Sequence, residues 1–173
     1  MSFHAEPALQ LLDRARQLGR LGHAYLICGP RSAGLEPFAV RILNLVSGRS
    51  HPDLPAWESE DIPILRPESK SRRINIGKPG EGDGVREMER RIHLSAHSGG
   101  HKFAVIIDAE RMTEQAQAAF LKTLEEPPPG TLILLTSERP EQLLETILSR
   151  VIRIPLMPES GDRRLGADER RLA

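Results

Sequence analysis

The chain has 173 residues, enough for one domain with a sizeable core. Its 24 basic and 24 acidic side chains cancel to a formal charge of +0, and only 3% of residues are aromatic, which argues against a nucleic-acid binder that works through a global positive field or a base-stacking platform. A single cysteine, Cys28 in an apolar run, excludes an internal disulfide and a multi-cysteine zinc site and fits the reducing cytoplasm. No apolar run reaches the length of a membrane span, and the first seventeen residues lack the apolar centre of a signal peptide.

Residues 6–18 read as a helix: Pro7 suits its first turn, Ala8, Leu11, Leu12, Ala15 and Leu18 share a face, and Gly19 stops it. Residues 23–28 form a short apolar run before a glycine loop, the pattern of a buried parallel strand. Pro37 opens a second helix through about Ser47, apolar nearly all round and therefore deeply packed. Residues 48–61 read as loop, and Ile62–Leu65 as a strand that Pro63 confines to an edge or an end. Loop continues over 66–84, where Gly77, Gly80, Gly82 and Gly84 predict an irregular, mobile stretch.

Val85, Met88 and Ile92 mark the next helix, and Phe103–Ile107 a buried strand ending at Asp108. Thr113 can cap a helix whose inner face is Ala116, Ala119, Phe120 and Leu124, ended by Pro127-Pro128-Pro129 because a residue before proline avoids helical angles. Thr131–Thr136 is another apolar strand. Pro140 opens a helix with Leu143, Leu144, Ile147 and Leu148 inside, and Val151–Ile154 is a last strand. Strands alternating with helices give an α/β fold, a parallel sheet with helices on both faces. The domain covers residues 1–157, and the polar stretch 158–173 reads as a disordered tail.

Four constellations bear on chemistry. Gly29-Pro30-Arg31-Ser32-Ala33-Gly34-Leu35-Glu36 has the glycine frame of the phosphate-binding loop G-x-x-x-x-G-K-[ST], between a strand and a helix as that motif requires. Leu35 stands where a lysine would neutralise the outer phosphates, and Glu36 where a hydroxyl would hold magnesium; leucine does neither, and a carboxylate there repels phosphate. An ordinary strand-turn-helix connection fits the same residues. Asp108, after Val105-Ile106-Ile107, has the position of a Walker B acid, or simply ends a strand; Ala109 follows where a hydrolytic site carries a water-polarising glutamate.

Thr136, at a strand end, has the place of a phosphate sensor and is equally a good strand residue. Ser149-Arg150, after a helix and before a strand, can project a guanidinium across a subunit boundary, or can satisfy a helix C-terminus. Of the histidines, His93, His97 and His101 have helical or near spacing without a further ligand, which favours solvated side chains over metal. Arg66, Lys70, Arg72 and Arg73 are a basic run beside acids, ordinarily a solvated loop and alternatively a contact to DNA phosphates.

Lys102-Phe103-Ala104-Val105-Ile106-Ile107-Asp108-Ala109-Glu110, followed by Phe120-Leu121-Lys122-Thr123-Leu124-Glu125-Glu126-Pro127-Pro128, resembles the bacterial clamp-loader AAA+ family of DNA polymerase III in its delta-prime branch. The second stretch corresponds to that family's LLKTLEEPP helix end, and Thr146-Ile147-Leu148-Ser149-Arg150-Val151 to its T-x-x-SRC segment with Val151 for cysteine. His23-Ala24-Tyr25-Leu26 and His51-Pro52-Asp53 fit as well. The likeness runs over about residues 5–157.

That resemblance implies a P-loop NTPase-like fold with a degenerate nucleotide site, no cofactor, and a subunit that helps load the sliding clamp at primed DNA without hydrolysing ATP. It implies Arg150, with Ser149, as an arginine finger for a neighbouring ATPase subunit. The implied partners are the clamp-loader ATPase subunits and the delta subunit directly, and the clamp and primed DNA through the complex; no membrane is involved. Gly48-Arg49-Ser50 replaces the family's four-cysteine module, so no zinc is expected, and the family's lid and collar domains are expected to be missing. An active ATPase of the gamma/tau type, and an interaction module outside replication, are the rival readings.

Overall fold

The computed structural model describes residues 1–94 and 100–159. The expected tail beyond Glu159, and His97, lie outside the described residues.

Five parallel strands, β1 (Ala24–Cys28), β2 (Ile64–Leu65), β3 (Lys102–Ile106), β4 (Thr131–Ser137) and β5 (Ile152–Pro155), form one sheet in the order β2-β3-β4-β1-β5. All of β1 and β4 is buried, as central strands covered on both faces must be. Alternate residues enter two cores. Leu26, Ala104, Ile106, Ile133 and Leu135 face helices α4 (Val85–Leu94), α5 (Glu114–Glu125) and α6 (Glu145–Leu148) through Met88, Ile92, Phe120, Leu124 and Ile147. Tyr25, Ile27, Phe103, Val105, Leu132 and Leu134 face α1 (Ala5–Gln17), α2 (Leu35–Ser47) and α3 (Leu54–Glu58) through Leu12, Phe38, Ile42, Leu43 and Trp57. The α/β reading with helices on both faces holds.

Several boundaries differ from the sequence reading for identifiable reasons. The face of α1 is narrower: Ala8 and Leu12 are buried, but Leu11 and Leu18 are 55% and 59% exposed. Helix α2 begins two residues before Pro37, at Leu35, because Gly34 in the left-handed region turns the chain directly into it.

The loop expected at 48–61 contains α3, which Asp53 caps by accepting from the Ala56 N–H at 3.0 Å. That short helix exists to bury Trp57, whose indole N–H donates to Asn44 Oδ1 at 3.2 Å while the Asn44 amide exchanges hydrogen bonds with the His51 backbone. Residues from Pro140 do not make one helix. A 3-10 turn at Pro140–Gln142 gives way to extended Leu143 and Leu144 before the single turn of α6. The cause is Gln117, buried on α5, whose Oε1 accepts the Leu144 N–H at 2.8 Å and whose Nε2 donates to Met112 O at 3.3 Å. Residues 77–84 are irregular as read, with both ends closed on one another: the Val85 and Arg86 N–H groups donate to Asn75 O and Ile76 O.

Candidate nucleotide-loop site and the arginine at the opposite edge

In an open parallel sheet the ligand crevice lies at the carboxyl ends of the strands. The loop Gly29–Gly34 follows β1 at that edge, Asp108 follows β3, and Thr136 is the penultimate residue of β4, so the fold gathers these sequence-predicted residues. Gly29 is required there by sterics. Its φ is 149°, and a Cβ would stand 2.4 Å from Leu156 O, where the chain leaving β5 crosses behind the loop.

Part of the loop is bonded within the protein. Residues Arg31–Ala33 form a 3-10 turn in which the Ala33 N–H donates to Pro30 O at 2.8 Å and the Gly34 N–H to Arg31 O at 3.1 Å. The Gly29 N–H donates to Ser137 O at 3.3 Å. A phosphate cradle is made of such amides pointing at the ligand, and these three are spent within the protein.

Leu35 is only 7% exposed and packs into the core with α2, so the side chain at the lysine position turns inward. Glu36 faces the surface and pairs with Arg66 at 3.3 Å, taking one member of the basic run at 66–73 away from solvent phosphate. Arg31 pairs with Glu138 at 2.9 Å; that hydrogen bond, then the charges of Glu138 and Asp108, push its guanidinium pKa up. The Glu138 N–H in turn donates to Glu110 Oε1 at 3.2 Å. Glu138 is a site residue that no motif announced; it lies 107 positions from Arg31, and only the β1–β4 pairing brings it near.

Asp108 has left-handed backbone, φ 52°, at the head of the 3-10 turn Ala109–Arg111, and its N–H donates to Thr136 Oγ1 at 3.1 Å. Thr136 is 1% exposed. Cys28, at the end of β1, has its thiol pKa pushed up by burial, so it is not a poised nucleophile.

Arg150 lies elsewhere. It precedes β5, and the strands are parallel, so it sits at the amino edge of the sheet while the loop sits at the carboxyl edge. A five-residue strand such as β1 separates those edges by roughly 16 Å. The guanidinium Nη1 donates to Thr146 O at 2.7 Å and to Ser149 Oγ at 3.2 Å, and Nη2 pairs with Glu125 at 2.9 Å. It therefore caps α6 in this isolated chain, as a cation at a helix C-terminus does. Two further family-like segments prove architectural. His23 Nε2 lies 3.1 Å from Leu124 O at the end of α5, and His51 stacks edge-on against Trp57 with ring centroids 4.5 Å apart.

His93 Nδ1 is 2.8 Å from Glu89 O, and His101 stacks on Phe103. No group of three or more His, Cys, Asp or Glu side chains among the described residues is placed to hold a metal ion. None of the described helices is long and apolar enough to cross a membrane.

Residues 4–160 match the family described as DNA polymerase III, delta subunit. The chain is 31% identical over 150 residues to the DNA polymerase III subunit delta' of Pseudomonas aeruginosa, an alignment covering 75% of this chain and 42% of that one. It is 34% identical over 130 residues to the Escherichia coli subunit delta', covering 73% and 34%. Among solved structures, a DNA polymerase III gamma subunit-related protein from Thermotoga maritima superposes with a TM-score of 0.65 at 25% identity, covering 94% of this chain and 48% of that one. The chain thus spans less than half the length of the curated relatives it matches.

Proposed function

The chain belongs to the DNA polymerase III delta-subunit family, and from that premise we propose that residues 1–157 are the AAA+-type domain of a non-hydrolysing, delta-prime-type clamp-loader subunit. In this reading it helps load the sliding clamp at primed DNA, bound to clamp-loader ATPase subunits and the delta subunit. It acts on the chemistry in trans: Arg150, with Ser149 beside it, is donated to the ATP site of a neighbouring motor subunit. There a guanidinium stabilises the charge that develops on the transferring phosphoryl group.

The observation that carries this reading is the separation of the two sites. The arginine lies at the sheet edge opposite its own loop, which supports a role toward a neighbour rather than at its own site. The loop supports the other half of the reading. Leu35 is buried, Glu36 is paired with Arg66, and three of the loop's amides (Gly29, Ala33 and Gly34) are bonded within the protein, which supports reading Gly29, Gly34, Asp108 and Thr136 as an architectural remnant of a nucleotide site.

The test is ATP turnover by the reconstituted assembly on primed DNA, the natural full-length protein being used throughout. Arg150→Ala is expected to slow the partner's turnover on the order of 10³-fold while costing this subunit only about 1 kcal/mol of stability, which leaves it folded. Unchanged turnover refutes the finger. The likeness to the gamma subunit-related structure keeps an active gamma/tau-type ATPase as the second reading. Saturable, magnesium-dependent ATP binding to this subunit alone would favour it.

A further inference from the structure

We propose that Glu125 is a positioning residue for Arg150, an inference that rests on the reading of Arg150 as a finger. Glu125 is the last residue of α5, and its carboxylate meets Arg150 Nη2 at 2.9 Å. A negative side chain is misplaced at a helix C-terminus, where the unpaired carbonyls already concentrate negative charge, at a cost of about 0.3–1 kcal/mol. A second acid, Glu126, follows immediately. Helix stability therefore does not account for Glu125. Nor does the ion pair itself, since its partners are 35% and 51% exposed and such pairs contribute about 0–1 kcal/mol.

What Glu125 supplies is direction. Arginine carries roughly 2 kcal/mol of rotamer entropy that a finger must lose when it engages phosphate. Here Thr146 O and Ser149 Oγ accept hydrogen bonds from Nη1, and the Glu125 carboxylate forms an ion pair with Nη2. No partner to Nε is found among the described residues, so one edge of the planar group still has a donor to offer.

Both acceptors lie within four residues of Arg150 and move with α6; of the three partners, Glu125 alone ties the guanidinium to a different element. The platform under Glu125 is stiff. Leu124 is buried, its carbonyl is met by His23 at 3.1 Å, and Pro127 follows. Holding the guanidinium in advance moves the cost of ordering it from the reaction to folding.

The experiment measures kcat and KM for ATP of the reconstituted complex carrying the full-length subunit as wild type, Glu125→Ala, Glu125→Gln, Arg150→Ala and the double variant, with assembly checked by gel filtration. Glu125→Ala is expected to lower kcat between about 10- and 100-fold with KM unchanged. Glu125→Gln, nearly isosteric and still an acceptor, is expected to recover part of the loss. The double variant is expected to be no slower than Arg150→Ala, because a positioning residue has no effect once its target is gone. Wild-type or faster turnover with Glu125→Ala, a change in KM alone, or a further loss in the Arg150→Ala background overturns the proposal. Unchanged turnover with Arg150→Ala removes the finger and this inference together, whereas slow Arg150→Ala beside wild-type turnover with Glu125→Ala removes this inference alone.

Discussion

The backbone N–H of Asp108 donates to the hydroxyl of Thr136 at 3.1 Å, joining the turn after β3 to the end of β4. Asp108 stands at φ 52°, where a non-glycine residue is disfavoured, and Thr136 supplies the acceptor that this turned-back amide lacks in the strand ladder. Thr136→Val keeps the shape and removes the acceptor, leaving a half-buried N–H unpaired. The expected loss is about 1–3 kcal/mol in urea unfolding, with Thr136→Ser close to wild type. Equal stability of the valine variant would show that this bond contributes nothing.

Restoring the missing lysine should not restore a nucleotide site. Leu35 is packed with α2 against the sheet, so Leu35→Lys puts an ammonium where a leucine is 7% exposed. The expected cost is about 2 kcal/mol or more. Leu35→Lys with Glu36→Thr completes the motif on paper, yet Ala33 and Gly34 N–H remain bonded to Pro30 and Arg31 carbonyls. Isothermal titration with magnesium-ATP is expected to show no saturable binding to either variant; a micromolar Kd would mean that the loop rearranges freely.

How far this was legible in the sequence depends on the range of the forces involved. Strands β1, β3 and β4 were readable because burial on both faces writes an apolar run into one local stretch. Helix α3 was not, because a five-residue helix has little periodicity of its own and is held by Asn44, an amide on α2 several residues upstream. The break at Leu143-Leu144 is likewise imposed by Gln117, 27 positions away, against a local pattern that favours helix. At the loop, the substitutions at Leu35 and Glu36 were visible as departures from a motif. That Arg66 and Glu138 close ion pairs with Glu36 and Arg31 was not, since nothing in a string of residues sets partners 30 and 107 apart beside each other.

The glycine-rich stretch makes a sharper prediction than its composition does. A Cβ on Gly77 would stand 2.2 Å from Asp83 O, and one on Gly84 would stand 2.7 Å from Gly77 Cα, with φ positive at both. Added methyls at Gly80 and Gly82 meet nothing within 4 Å. Gly77→Ala and Gly84→Ala are therefore expected to cost about 2–3 kcal/mol or more, against about 1 kcal/mol of conformational strain at Gly80 and Gly82. Thermal unfolding of the four variants checks this; four equal losses would mean that the loop ends do not close on each other.

Gln117 offers a test of how the Arg150 segment is held. Its side chain is 5% exposed and bridges Met112 O, beyond the Asp108 turn, to the Leu144 N–H. Gln117→Leu is similar in size but leaves both backbone groups without that partner. The expected cost is about 1–3 kcal/mol for each group left buried and unsatisfied. Hydrogen exchange at the Leu144 amide should accelerate before global unfolding does; unchanged protection there would mean that another contact holds the segment.

Glu87 carries the pH dependence that the structure makes explicit. Its side chain is 8% exposed and receives Arg90 Nε at 2.8 Å, Arg90 Nη2 at 2.6 Å and the Gly80 N–H at 2.5 Å. The Arg90 hydrogen bonds, then that of Gly80, lower its pKa from 4.5 to about 2 against the opposing effect of burial. A carboxyl with a depressed folded-state pKa stabilises the fold above its ordinary value. That contribution declines as pH falls below about 4.5 and is gone once it passes through about 2. Glu87→Gln removes the titration, so the Tm difference between wild type and variant is expected to be widest above pH 5 and to shrink steadily toward pH 2. Because the Gly80 N–H is one of the three donors, the same acid range should loosen the 77–84 loop first, seen as faster amide exchange at Gly80. A Tm difference that stays constant from pH 6 to pH 2 would show that Glu87 titrates as an ordinary exposed carboxylate.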